Sequence, residues 1–85
     1  MADTRISLIG IIVSDRASTT QLNSLLHEYG DYIVGRMGIP YKDRGINVIS
    51  LVVDAEPDII SSLSGKIGQL PHVSTKTIYP PLPKK

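Results

Sequence analysis

The 85-residue chain has no cysteine, no tryptophan and no phenylalanine. Without cysteine it can form neither a disulfide staple nor a thiolate metal site. Without phenylalanine or tryptophan, and with 41% hydrophobic residues, its core has to be aliphatic. Excess charge is missing too: a formal net charge of +1 gives no basic face of the kind nucleic acid requires. The longest apolar run, Leu8 to Val13, is far short of the roughly 20 residues that span a bilayer. No basic segment followed by a long apolar one opens the chain, so no signal peptide is read and the expected location is the cytoplasm. A chain of this size buries only about 60–65% of the surface that its unfolded form exposes. With disulfide and thiolate metal excluded, self-association is the remaining common staple.

What is present reads as six elements. Arg5 to Val13 alternates as a strand, with Ile6, Leu8 and Ile12 on one face and Ile9, Ile11 and Val13 on the other. Apolar residues on both faces mark a central strand covered on both sides. Ser14 to Ala17 reads as a polar loop. Ser18 with Gln21 forms a capping box that starts a helix whose apolar stripe is Leu22, Leu25, Leu26 and Tyr29. Gly30 is expected to close that helix in the left-handed conformation. A strand over Asp31 to Ile39 follows, ended by Pro40. Tyr41 to Gly45 is a charged hairpin loop, and Ile46 to Val53 is a second two-sided strand. Pro57 suits the first position of a second helix with buried stripe Ile59, Ile60, Leu63 and Ile67. Gly65 inside it implies close packing against that helix. Gly68 stops it, and Val73 to Tyr79 is the last strand. Residues 1–79 form one domain and 80–85 a Pro/Lys-rich tail.

The order βαββαβ predicts an α+β, ferredoxin-like sandwich: a four-stranded antiparallel sheet with two helices on one face. That topology puts the first and third strands in the centre, where the two-sided patterning independently puts them. It also leaves the second apolar sheet face without a cover. A patch of that size asks for a partner. The expected one is another copy of the chain, giving a dimer or tetramer through the sheet face and edge strand.

Candidate site residues gather between His27 and Tyr41. Gly35 and Gly38 clear space along a strand, where a ligand or a neighbouring backbone would approach. Arg36 either pairs with Asp31 at the surface or holds an anion in a bidentate grip. His27 sits at a helix C-terminus, where the dipole favours a cation, or faces Tyr29, Asp31 and Arg36. Gly30 and Tyr41 complete this set. His72 reads as an exposed turn residue. No catalytic residue and no metal ligand set is assigned: there is no triad spacing, no phosphate-cradling loop and no paired histidine. No cofactor follows from these residues, no recognition helix is present for DNA, and no membrane partner is implied. The rival reading is a small dimeric α+β-barrel enzyme with a cavity between sheet and helices, lined by His27 or Tyr32.

The run His-Glu-Tyr-Gly-Asp-Tyr-Ile-Val-Gly-Arg-Met-Gly-Ile-Pro-Tyr-Lys-Asp-Arg-Gly-Ile, from His27 to Ile46, resembles the iron-only hydrogenase system regulators. These are small bacterial proteins of ferredoxin-like fold, akin to ACT domains and to the effector domain of nickel-responsive repressors. The likeness covers Ile6 to Tyr79. It implies a regulatory, effector-sensing module linked to an iron-only hydrogenase system, and not an enzyme. Asp15 and Arg16 resemble the Asp-Arg pair that opens the effector-cradling loop of ACT domains, although Ala17-Ser18 replaces the glycine that usually follows. The planar His/Cys metal site of the nickel repressors has no counterpart in a chain with two distant histidines and no cysteine.

Overall fold

The computed structural model describes residues 3–80. Strands β1 (Arg5–Val13), β2 (Ile33–Tyr41), β3 (Ile46–Ala55) and β4 (Val73–Ile78) form one sheet in the order β2-β3-β1-β4, with helices α1 (Arg16–Glu28) and α2 (Pro57–Gly68) between them. Every neighbouring pair is antiparallel. This is the ferredoxin-like α+β fold, with β1 and β3 in the middle. Alternation sends Ile9, Ile11 and Val13 of β1, and Ile49, Leu51, Val53 and Ala55 of β3, to the helix side. There they meet Leu22 and Leu26 of α1 and Ile60, Leu63 and Ile67 of α2, each at most 5% exposed. The core is aliphatic throughout.

Several boundaries differ from the sequence expectation, each for a local reason. Helix α1 begins at Arg16, not Ser18. Asp15 is its N-cap, extended at φ −141° and ψ 130°, with its carboxylate accepting from the Ala17 amide at 3.0 Å. Ser18 is buried instead, and its hydroxyl donates to the Pro71 carbonyl, a tertiary contact that no local pattern announces. Gly30 does not take the left-handed conformation. The chain passes through a 3-10 turn, Gly30–Tyr32, in which the Tyr32 amide donates to the Tyr29 carbonyl at 3.0 Å. Strand β2 therefore starts two residues late. It also runs through Pro40 to Tyr41, because β2 is an edge strand, where a missing donor is tolerated.

Among the described residues, positive φ occurs at Gly45 (66°), which closes the β2–β3 connection, and at His72 (59°). The His72 carbonyl takes two hydrogen bonds from Ser14, from its amide at 2.9 Å and its hydroxyl at 3.1 Å, which hold that turn. Gly65 has no heavy atom within 4 Å of where a Cβ would sit, so the close packing expected there is absent. Residues 81–85 of the expected tail lie outside the described residues.

Candidate functional site

The strand register fixes what the open face carries. Leu8 pairs with Val52 and Ile78, and Val52 in turn with Gly35, so these four form one row across the sheet. The next row is Lys76, Gly10, Ser50 and Met37, and the one after it Ser74, Ile12, Val48 and Ile39. Ile46 and Tyr41 end the face on one side, while Ile6 and Asp54 end it on the other. Large apolar side chains stand in solvent here: Ile78 is 63% exposed, Met37 65%, Ile39 57%, Ile12 45% and Leu8 40%. Between the Leu8 and Ile12 rows lies a trough floored by Gly10 and Ser50, part of a shallow hollow of about 400 Å³.

The residues singled out from the sequence fall into separate places. Asp15, Arg16 and Tyr41 come together in a cleft of about 360 Å³ between the start of α1 and the β2–β3 connection. Lys42, Pro40 and Asn47 share it, and Asn47 donates to the Thr19 hydroxyl of α1 at 3.3 Å. The Asp15 carboxylate is already engaged, as helix cap and at 3.7 Å from His72 Nε2. Lys42, Asn47 and His72 were not foreseen as neighbours of Asp15. Only the charged tip at Lys42 to Arg44 hinted that the hairpin carries cations.

His27, Gly30 and Arg36 line a second cleft of about 350 Å³ with Asn23, Leu26 and Ile33. Here Arg36 Nη2 donates to Asn23 Oδ1 at 3.4 Å, so its partner is α1 rather than Asp31. Asp31 lines neither cleft. Gly35 and Gly38 lie on opposite faces of β2. Gly35 opens onto the exposed face with no heavy atom within 4 Å of a Cβ, whereas Gly38 lies on the helix side, 3.9 Å from Ile49 Cγ1.

Tyr29 turns to α2. Its hydroxyl shares a hydrogen bond with Ser62 at 3.0 Å, and Lys66 Nζ lies 5.2 Å from its ring centroid. The Ser62 bond, followed by Lys66, holds the Tyr29 phenol below its usual pKa, and Tyr29 in turn raises that of Lys66. This is a clasp between the helices.

His27 and Tyr32 are both exposed, so neither lines the sheet–helix interior that a barrel-type enzyme would use. The buried polar residues there are Ser7 and Ser18. Among the described residues no three His, Asp or Glu gather as a metal-binding group, and no helix is long and apolar enough to cross a membrane.

Comparison with known proteins places this geometry. The TM1266-like family, described as "Iron-only hydrogenase system regulator, putative", matches residues 5–77. The chain belongs to that family. That description is of a regulator. A solved relative, the uncharacterized protein TM1266 from Thermotoga maritima, is 33% identical and superposes with a TM-score of 0.87, over 91% of this chain and 98% of its own. An unknown protein from Galdieria sulphuraria shares the fold at 15% identity and a TM-score of 0.64, with 96% of this chain overlying 48% of that one. No curated protein matches the chain.

Proposed function

We propose that this family member is a cytoplasmic, ACT-like regulatory module of an iron-only hydrogenase system, that it works as a homo-oligomer joined through the open sheet face, and that it senses a small effector. One observation carries the reading: the uncovered apolar face of β1 and β3. Its eight exposed apolar side chains (Ile6, Leu8, Ile12, Met37, Ile39, Tyr41, Val48 and Ile78) leave on the order of 800 Å² uncovered, the area one partner contributes to a standard interface. Monomers seldom expose an apolar patch beyond a few hundred Å². For an effector, the cleft holding Asp15, Arg16 and Lys42 offers two cations and a carboxylate on a rim between two elements.

The module needs a separate partner to reach DNA. Its net charge is +1 and both helices spend their apolar stripes on the core. If the module acts on transcription, it does so through such a partner, and promoter DNA titrated with the chain alone at physiological salt gives only weak, salt-sensitive association.

Sedimentation velocity over a dilution series at micromolar concentration tests the central claim. The expected result is a dimer or tetramer. A single monomeric species at every concentration overturns it.

A further inference from the structure

The open face is not a uniformly greasy plane, and its relief restricts how a second copy can sit. Two apolar ridges cross the strands, one made by Leu8, Val52 and Ile78 and the other by Ile12, Val48 and Ile39. They are four residues apart along each strand, about 13 Å, with the Gly10–Ser50 trough between them. Among the described residues, two formal charges lie on the face. Lys76 stands at the trough's end on edge strand β4, and Asp54 lies beyond the Leu8 ridge.

Isologous sheet-on-sheet packing sets row against row by reflection about the two-fold axis. An axis through the Gly10 row stacks trough on trough, leaves a void, and sets Lys76 against Lys76 of the other copy. An axis through the Ile12 row stacks ridge on ridge. An axis between the Leu8 and Gly10 rows puts the Asp54 carboxylate over Val48 of the other copy, burying an unpaired charge. Of these axes across the strands, one register remains. Resting on the self-association reading above, we propose that two copies pack face to face about a two-fold axis that runs across the strands midway between the Gly10 and Ile12 rows. Each Ile12–Val48 pair then fills the other copy's trough, Ile12 over Gly10 and Val48 over Ser50, while Ile39 meets Met37 along the β2 edge.

The same register accounts for a second glycine independently. Reflection carries the Tyr41 row onto the Leu8 row, so the Tyr41 ring of one copy lies over Gly35 of the other, where nothing in the chain itself occupies the space of a Cβ. Asp54 falls outside the overlap and stays in water. Lys76 keeps its ammonium at the rim while its stem covers apolar surface. The occupant is a second copy because the relief complements itself, and with Ile6 left outside the overlap beside Asp54 the other seven apolar side chains still expose on the order of 700 Å², close to what one partner of a stable dimer contributes.

The natural absence of cysteine gives a clean background for labels at Asp54→Cys and Lys76→Cys. The proposed register puts the two Lys76 positions about 12 Å apart and the two Asp54 positions about 35 Å apart, from strand rise and sheet spacing. Nitroxides on Lys76→Cys should therefore broaden each other's continuous-wave spectrum, and those on Asp54→Cys should give the long distance by pulsed electron resonance. Gly10→Val supplies a second arm. In the free chain the new Cβ meets only the Lys76 carbonyl oxygen, at 4.0 Å, and valine suits a strand, so the monomer folds. Its dimer should be weakened at least about 100-fold, the equivalent of roughly 2.7 kcal/mol. Short Asp54 distances, or a Gly10→Val dimer as tight as wild type, overturn the register and leave self-association standing. A wild-type chain that stays monomeric overturns both.

Discussion

Replacing Ile12 by serine removes apolar bulk from the centre of the open face without touching the core, since Ile12 points away from Ile9, Ile11 and Val13. In the free chain this side chain is 45% exposed. Full burial of an isoleucine is worth about 1.5–3 kcal/mol, so a little under half of that, about 0.7–1.4 kcal/mol, is left for a partner to supply. In an isologous dimer the residue occurs twice, which makes the loss about 1.4–2.7 kcal/mol per dimer, or about 10- to 100-fold in dissociation constant. The cost to the fold itself is of similar size per chain, a fall in Tm of about 4–8 °C for each kcal/mol in a domain this small. Association has to be measured well below that transition, by sedimentation velocity across a dilution series, with far-ultraviolet circular dichroism confirming the fold. Gln21→Ser, on the wet side of α1, serves as the control and should associate like wild type. A folded Ile12→Ser variant with an unchanged dissociation constant would refute the reasoning, because no interface over this face can leave Ile12 out.

Gly65→Ala should stabilise the chain by about 1 kcal/mol in thermal or urea unfolding, since the helix interior prefers alanine and the site is open; a destabilised variant would mean that a neighbour occupies that space. Ser18→Ala strands the Pro71 carbonyl and should cost about 1–3 kcal/mol, whereas Ser7→Ala removes a buried hydroxyl that has no partner and should be neutral or stabilising. The reverse order in denaturant titrations would contradict the hydrogen-bond assignment. Tyr29 should ionise below the usual tyrosine range in an ultraviolet titration, and Lys66→Met should delay it. The depressed Tyr29 value adds stability that is present above the unfolded tyrosine value and lost as pH falls through the folded one. The raised Lys66 value adds stability that is present below the unfolded lysine value and lost as pH rises through the folded one, so the two contributions overlap only in the alkaline window where both act.

The fold was legible because it rests on periodicities that the sequence writes repeatedly. Nine residues of β1 alternate without a break, and the Leu22-Leu25-Leu26-Tyr29 stripe has one helical reading. Boundaries were less legible because they turn on single contacts. Asp15 and Ser18 are both good N-cap residues, and what separates them is the Pro71 carbonyl, 53 residues away, which claims the Ser18 hydroxyl. Gly30 looked like a left-handed helix stop, yet Tyr29 has to turn its ring to Ser62 and Lys66 of α2, and a 3-10 turn carries the chain onward. Pro40 breaks a strand only where its amide is needed, and whether β2 is an edge is a property of the whole sheet.

The candidate site was legible in a different way. Residue types were visible, but neighbourhood was not. Arg36 is on β2 as expected, and the alternation that puts Gly35 and Met37 on the open face sends Arg36 to the helix side and Asn23. Asp15 meets Lys42 only because the β2–β3 connection folds back beside the start of α1. The open face, by contrast, could be read in full, since every residue on it follows from strand parity plus register. That is why its two small residues carry weight. A strand that needed only to be apolar on both faces would have no reason to interrupt Leu8 and Ile12 with glycine, which loses more entropy on folding than any other residue. Nothing within the chain crowds Gly10, so the chain's own packing does not require it. Serine sits at the paired position on β3, and together they lower the floor between two ridges. The small side chain is needed only if something has to enter from outside, and the ridge that fits is the one the same strands build two residues further on.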